Sequence, residues 1–129
     1  MTFSRIWRCE RGVAAIEFAV VGVVLIALTI GAFEFGRALF VKHQLSLLAD
    51  EASRTVMLNP GVSDASLQTT AESDFTAGDP AALAVTLSQE TVRGTTYRVV
   101  QMDYPITLLV PNLVTNSITV SVTRRIPQL

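Results

Sequence analysis

The 129-residue chain has one cysteine, Cys9, and one histidine, His43. A single thiol excludes an internal disulfide framework and a cysteine-rich zinc site. His43 stands between Lys42 and Gln44, with only Asp50 near it at ligand spacing, so it reads as a surface histidine. Charge is scarce too, at 16% of residues, where soluble domains carry about 25%. The net charge is −1 and no long basic run occurs, so nothing calls for nucleic acid. Gly-x-Ser-x-Gly, His-Glu-x-x-His and phosphate-loop patterns are absent. Asp64, Glu72, Asp74 and Asp79 lack the oxygen-ligand spacing of a calcium loop and read as a solvated face. The expectation is a protein without catalytic residues, cofactor or metal. The length also excludes a large barrel or a pair of nucleotide-binding half-domains.

What the sequence has in excess is one apolar stretch. Phe18 to Phe33 is uncharged, and from Val13 to Phe33 the only ionisable residue is Glu17. Twenty-one residues at about 1.5 Å each make roughly 31 Å of helix, the thickness of a bilayer's hydrocarbon core. Soluble core helices rarely stay apolar on every face for so long. Arg5, Arg8 and Arg11 precede the stretch, opposed only by Glu10, which places the N-terminus in the cytoplasm and the rest outside. A secretory signal has the same basic start. Its apolar region is shorter, however, and closes on a small-x-small triplet. Here no A-x-A follows, and helical patterning continues past Thr29-Ile30-Gly31.

Glu17 is the anomaly. A carboxylate inside a bilayer segment costs about 2.5–3.5 kcal/mol on insertion scales and usually has a partner. The ordinary reading is a side chain that snorkels toward the cytoplasmic interface, one or two turns from Arg11. The neighbourhood offers a sharper one. Residues 11–18 read RGVAAIEF, which resembles the processing site of type IV-like prepilins. The resemblance implies cleavage by a membrane prepilin peptidase between Gly12 and Val13, with Glu17 and Phe18 at mature positions five and six. Gly12 suits a protease that needs unhindered, extended backbone. A new α-amine at Val13 would be neutralised by a carboxylate within about 4–6 Å, and the pilin family pairs it with a neighbouring subunit. Glu17 would then set the register between subunits.

The likeness extends through Arg54. Arg11, Gly12, Ala14, Glu17 and Phe18, then Glu34-Phe35-Gly36-Arg37, then Gln44-Leu45, Ala49, Ala52 and Arg54 resemble the TadE-like family. These are minor pilins or pseudopilins of the tight-adherence (Tad) system. The family usually has a proline in the early apolar span. Val21-Gly22 stands there instead, which predicts an uninterrupted helix. Glu34 and Arg37 are three apart and can pair on one helix face. By the resemblance, Glu34, Phe35, Gly36 and Arg37 form a subunit contact at the membrane edge.

Beyond it, Ala38, Val41, Leu45, Leu48, Ala52 and Val56 recur at spacings of three and four. Lys42, Ser46, Asp50, Ser53 and Arg54 fall largely off this stripe. Asn59-Pro60-Gly61 stops the helix. Ser63-Asp64 is an N-cap for a short helix with Leu67, Ala71 and Phe75 on one face, ended by Gly78-Asp79-Pro80. The period then becomes two. Leu83, Val85 and Leu87 form a strand, Arg93-Gly94 a turn, and Tyr97 to Leu109 a second strand. Pro105 predicts an edge or a bend there, and Pro111-Asn112 closes it. Ile118, Val120 and Val122 form the last strand, ahead of Arg124-Arg125. The stretch VVQMDYPITLLVPNL, then ITVSVTRRIP, also resembles the TadE-like ending.

The fold class expected is α+β and pilin-like: a long N-terminal helix, a short second helix and a three-stranded antiparallel meander. The expected organisation is a cytoplasmic leader over 1–12, a transmembrane helix over 13–33, its periplasmic continuation over 34–58 and a small α+β domain over 59–129. The resemblance implies a role in Tad/Flp pilus assembly and adherence from the bacterial inner membrane. Its partners would be a prepilin peptidase, other pilins or pseudopilins, an inner-membrane assembly platform and the lipid bilayer. Incorporation into the fibre is left open. The alternative is a single-pass periplasmic binding module that joins no filament. Processing would remove Cys9 and leave seven bases against ten acids.

Overall fold

A computed structural model describes residues 10–109 and 117–128. Arg5, Arg8 and Cys9 of the expected leader, and the Pro111-Asn112 loop, lie outside the described residues. The element order is α1 (Glu10–Leu58), α2 (Asp64–Asp74), a single 3-10 turn (Pro80–Ala82), β1 (Ala84–Val92), β2 (Thr95–Thr107) and β3 (Ser117–Pro127). This is the α+β arrangement that the change of period from 3.6 to two predicts. The chain divides between Phe35 and Gly36 into two compact units, each described by itself.

The first unit is the start of α1. It runs unbroken through Val21-Gly22, as the missing proline predicts. Its apolar side chains find no cover in the unit: Phe18 is 80% exposed, and Ile16, Val23 and Leu28 are each more than 60% exposed. It is one helix long and apolar enough to cross a membrane.

The second unit is built on the rest of α1. Val41, Leu45, Ala49, Ala52 and Val56 are buried, with Ala38 and Leu48 packed beside them. Ala49 completes the stripe, and Ser53 is buried as well, although the spacing placed it off the stripe. Its hydroxyl satisfies itself by donating to the Ala49 carbonyl at 2.7 Å, the back-bond by which a helix accommodates a buried serine. The stripe packs on the sheet residues Val85, Val100, Met102, Tyr104, Ile106, Val122 and Ile126, and on Leu67, Ala71 and Phe75 of α2. Ser63 caps α2 by accepting from the Ser66 amide.

The sheet is an antiparallel meander in the order β1-β2-β3. Its β1–β2 turn is two residues, Arg93 at φ 52° and Gly94 at φ 84°, the left-handed pair that matches the twist of a tight hairpin. Two expectations need correction. Pro105 lies in the central strand, paired with Thr119 of β3. It is tolerated because β1 starts at Ala84, opposite Asp103, so β2 has no neighbour on that side at Pro105. The last strand does not stop before Arg124-Arg125 but continues to Pro127. Arg124 stands in register with Val100 and Arg125 with Val99, so alternation persists through two charged residues.

Two leucines separated by one residue test this burial pattern. Leu45 is fully buried and Leu47 is 53% exposed. Leu45→Ala is expected to destabilise the second unit by about 2–5 kcal/mol, and Leu47→Ala by under about 0.5 kcal/mol. Chemical denaturation of the full chain in detergent measures both.

Candidate functional site

The residues singled out by sequence all sit on α1. Gly12 and Val13 lie inside the helix, which begins at Glu10. The backbone at Gly12 is helical, so a protease that needs it extended would have to unwind the first turn. Glycine in that turn lowers the cost by about 1 kcal/mol relative to alanine. Glu17 follows Val13 by four residues, one turn later. Both side chains are exposed, as is Phe18. An amine at position 13 and a carboxylate at 17 are thus neighbours on one helix face. Among the described residues the ion pairs are Arg124–Asp50 and Arg125–Glu90, and Glu17 is in neither.

The second block straddles the division of the chain: Glu34 and Phe35 close the first unit, and Gly36 and Arg37 open the second. Glu34 and Arg37 are half-buried, Phe35 and Gly36 exposed. At Gly22, Gly31 and Gly36 a Cβ would meet no other atom, so their smallness serves nothing inside this chain. Arg37 does something the sequence does not suggest. Its guanidinium donates to the carbonyl of Thr107, at the end of β2. The last turn of sheet backbone is thereby tied to the first turn of the second unit.

Residues 12–54 match the family model described as TadE-like protein. Over this segment the chain is similar to TadE-like proteins. The match begins at Gly12, takes in Glu17 and the Glu34-Phe35-Gly36-Arg37 block, and ends at Arg54. It relates the TadE-like segment to pilin-like proteins of the Tad pilus. The sheet, whose sequence also resembles the family's ending, lies beyond the matched residues. No curated protein and no solved structure matches the chain.

The TadE-like segment carries the exposed chemistry, and three polar ties beyond its reach in sequence hold the second unit around it. Arg98 of β2 donates to the carbonyls of Pro60 and, at 2.8 Å, Val62. It thereby fixes the chain just after α1 ends. Gln68 of α2 accepts from the Val85 amide at 2.7 Å and donates to the Leu83 carbonyl. Its side-chain amide replaces a neighbouring strand at the start of β1. The Asp79 amide donates to the Tyr104 hydroxyl at 2.9 Å. That approach needs Gly78, because a Cβ there would collide with the tyrosine ring. Tyr104 in turn packs against Phe75, with ring centroids 4.8 Å apart. Asp79, expected on a solvated acidic face, also caps the 3-10 turn by accepting from the Ala81 amide. None of these ties has a periodic signature, so sequence reasoning misses them.

Arg124 reaches α1 from β3. Its Nε donates to the Asp50 carboxylate at 2.7 Å, and that bond holds the Asp50 carboxyl below the usual carboxylate range. A carboxylate with a depressed folded-state pKa contributes stability above its unfolded pKa and loses it as pH falls through the folded value. Asp50 is exposed, so the contribution is small. Asp50→Asn is expected to lower the urea midpoint slightly at about pH 7, with the difference shrinking as pH falls below the ordinary aspartate value of about 3.9. A difference that persists in acid would show that the ion pair is not its source.

Proposed function

We propose that this protein is a membrane-anchored TadE-like minor pilin or pseudopilin. On this reading a prepilin peptidase cleaves it after Gly12, and it acts in Tad/Flp pilus assembly and adherence. The observation that carries the reading is the family match that starts at Gly12 and contains Glu17. The exposed stretch of α1 that is apolar from Phe18 to Phe33 supports it. Such a surface is stable in lipid and costly in water. The arginines before it favour a cytoplasmic N-terminus. The second unit would then lie outside the inner membrane, in the periplasm, where a pilin presents itself to the assembly platform and to other subunits.

The roles follow from the chemistry. Cleavage exposes an ammonium at Val13 whose ordinary pKa is about 7.7–8.0, so it carries charge at neutral pH. Glu17 neutralises it, from the same helix or from an adjacent subunit, and offsets its own cost in lipid. Phe18 packs beside it, and the Glu34-Phe35-Gly36-Arg37 block lies where subunits meet at the membrane edge. Structural work of this kind needs no catalytic group, cofactor or metal.

Co-expression with a prepilin peptidase, followed by N-terminal sequencing, tests the processing step. The expected product begins at Val13. A product that begins at Met1, or just after Gly31, overturns it. Glu17→Ala is expected to leave cleavage intact and to reduce surface piliation several-fold. Unchanged piliation, with an uncleaved N-terminus, is the behaviour of an anchored binding module that joins no filament.

A further inference from the structure

We propose that the outward face of α1 in the second unit is a seam for a second copy of this chain, packed parallel and in register through Phe40, Leu47 and Leu58. The inference stands on the second unit alone and does not need the membrane reading. One stripe of α1 is buried against the sheet and α2. On the opposite side of the helix, Phe40, His43, Leu47, Glu51, Arg54 and Leu58 are all exposed. Gly36, also exposed, precedes Phe40 by four. Gly36 to Leu47 and Leu47 to Leu58 each span eleven residues, which is three turns of helix to within about 20°. The line therefore keeps to one side of a nearly straight helix along its whole length.

Phe40 is 51% exposed, Leu47 53% and Leu58 88%. Single apolar residues scattered on a surface are ordinary. Three on one line, on a helix that already buries its other side, mark a second packing face. The charged residues on that line are also unanswered. Glu51 and Arg54 stand three apart, yet neither is in an ion pair among the described residues. Beside them a shallow hollow of about 380 Å³ opens between Glu51, Arg54, Thr55, Met57 and Leu58.

A second copy in parallel register answers each of these features. Phe40 meets Phe40, Leu47 meets Leu47, and Leu58 of one copy enters the hollow of the other. Glu51 of one copy lies beside Arg54 of the other, and two-fold symmetry makes that ion pair twice. The antiparallel alternative sets Phe40 against Arg54 and Leu58 against Gly36, which leaves Leu47 as its one apolar layer. His43, between Phe40 and Leu47, is a polar seam position, which costs some stability and fixes the register. At Gly36 a Cβ would meet nothing in its own chain, and its absence lets a second backbone come close. A seam about 34 Å long and about 10 Å wide covers roughly 340 Å² of each copy, under half of the ~800 Å² of a standard interface. The pair is therefore weak and reversible.

The test is sedimentation equilibrium of the full chain in detergent. The expected result is a reversible monomer–dimer equilibrium. Leu47→Glu is expected to raise the dissociation constant about tenfold or more while leaving the urea midpoint nearly unchanged. Glu51→Arg is expected to weaken the dimer several-fold, and Arg54→Glu added to it to restore the parent's affinity. With Cys9→Ser as background, His43→Cys is expected to form a disulfide between copies several-fold faster than Lys42→Cys, which is exposed but off the seam. A monomeric parent overturns the inference. So does a dimer that Leu47→Glu leaves intact, because the contact then lies elsewhere. Equal cross-linking at 42 and 43, failure of the charge swap to restore affinity, or faster cross-linking of Phe40→Cys to Arg54→Cys than of His43→Cys to itself overturns the parallel register.

Discussion

The second unit depends on burying one stripe of α1. Val41, Leu45, Ala49, Ala52 and Val56 leave almost nothing exposed, and the sheet is what covers them. A three-stranded sheet with one apolar face buries that face best against a helix. The helix, for its part, cannot leave five apolar residues in water at no cost. Each element is therefore the condition for the other. Small residues in the stripe matter as much as large ones. Ala49 and Ala52 are buried on the same stripe as Leu45, which, like Met102 and Val100 of the sheet, is wholly shielded from solvent. The same helix carries, from Phe18 to Phe33, residues that are apolar on every side and largely without such cover. One element thus meets two environments, and the change comes at Glu34 to Arg37, where ionisable residues first reappear after Glu17.

Hydrophobic contact is not directional, so it does not by itself fix how the sheet sits on the helix. The long polar side chains do that. Arg37, Arg98 and Gln68 each address backbone groups far away in sequence. Carbonyls and amides at the ends of strands and loops are those that regular structure leaves without partners. A guanidinium or side-chain amide that satisfies them specifies one register and one approach of the elements. Arg124, half-buried, with the exposed Asp50, adds direction more than energy.

Periodicity made the elements legible: spacings of three and four for α1 and α2, alternation for the strands, Asn59-Pro60-Gly61 and Arg93-Gly94 for the breaks. It failed where a side chain's chemistry disguised its position. Arg124 occupies an inward-facing place between Val122 and Ile126, and an arginine stem can lie along apolar surface while its head reaches water. Composition therefore reads as a strand end where alternation continues. Pro105 misled in the opposite sense, because whether a strand has a neighbour at one residue depends on where the other strand starts. The ties made by Arg37, Arg98, Gln68 and Tyr104 were illegible for a different reason. Each joins a side chain to backbone, and a backbone carbonyl has no letter in the sequence. For the site, the order of Gly12, Glu17 and Glu34-Phe35-Gly36-Arg37 was legible because it lies on one helix, where distance along the chain converts directly to distance in space.

That conversion bears on Glu17 most of all. On an exposed helix surface a carboxylate has no stake in the fold of its own chain, so its retention in an apolar stretch needs another explanation. Position supplies one. A residue four after Val13 lies one turn from any amine created there, and only a spacing of three or four makes it a direct neighbour on that face. Before cleavage the helix continues back to Glu10 and no charged amine exists at Val13. The uncut chain thus holds an acid with only the leader's arginines to answer it. If the chain is cleaved as proposed, those arginines are gone and the acid has a cation fixed to the helix terminus. On the proposed reading, processing would exchange the leader's arginines for a partner fixed on the helix, and a lower dielectric around it would make the charge pair more selective about its geometry. A subunit so processed is equipped to be held at one axial position, which a mere membrane anchor does not require.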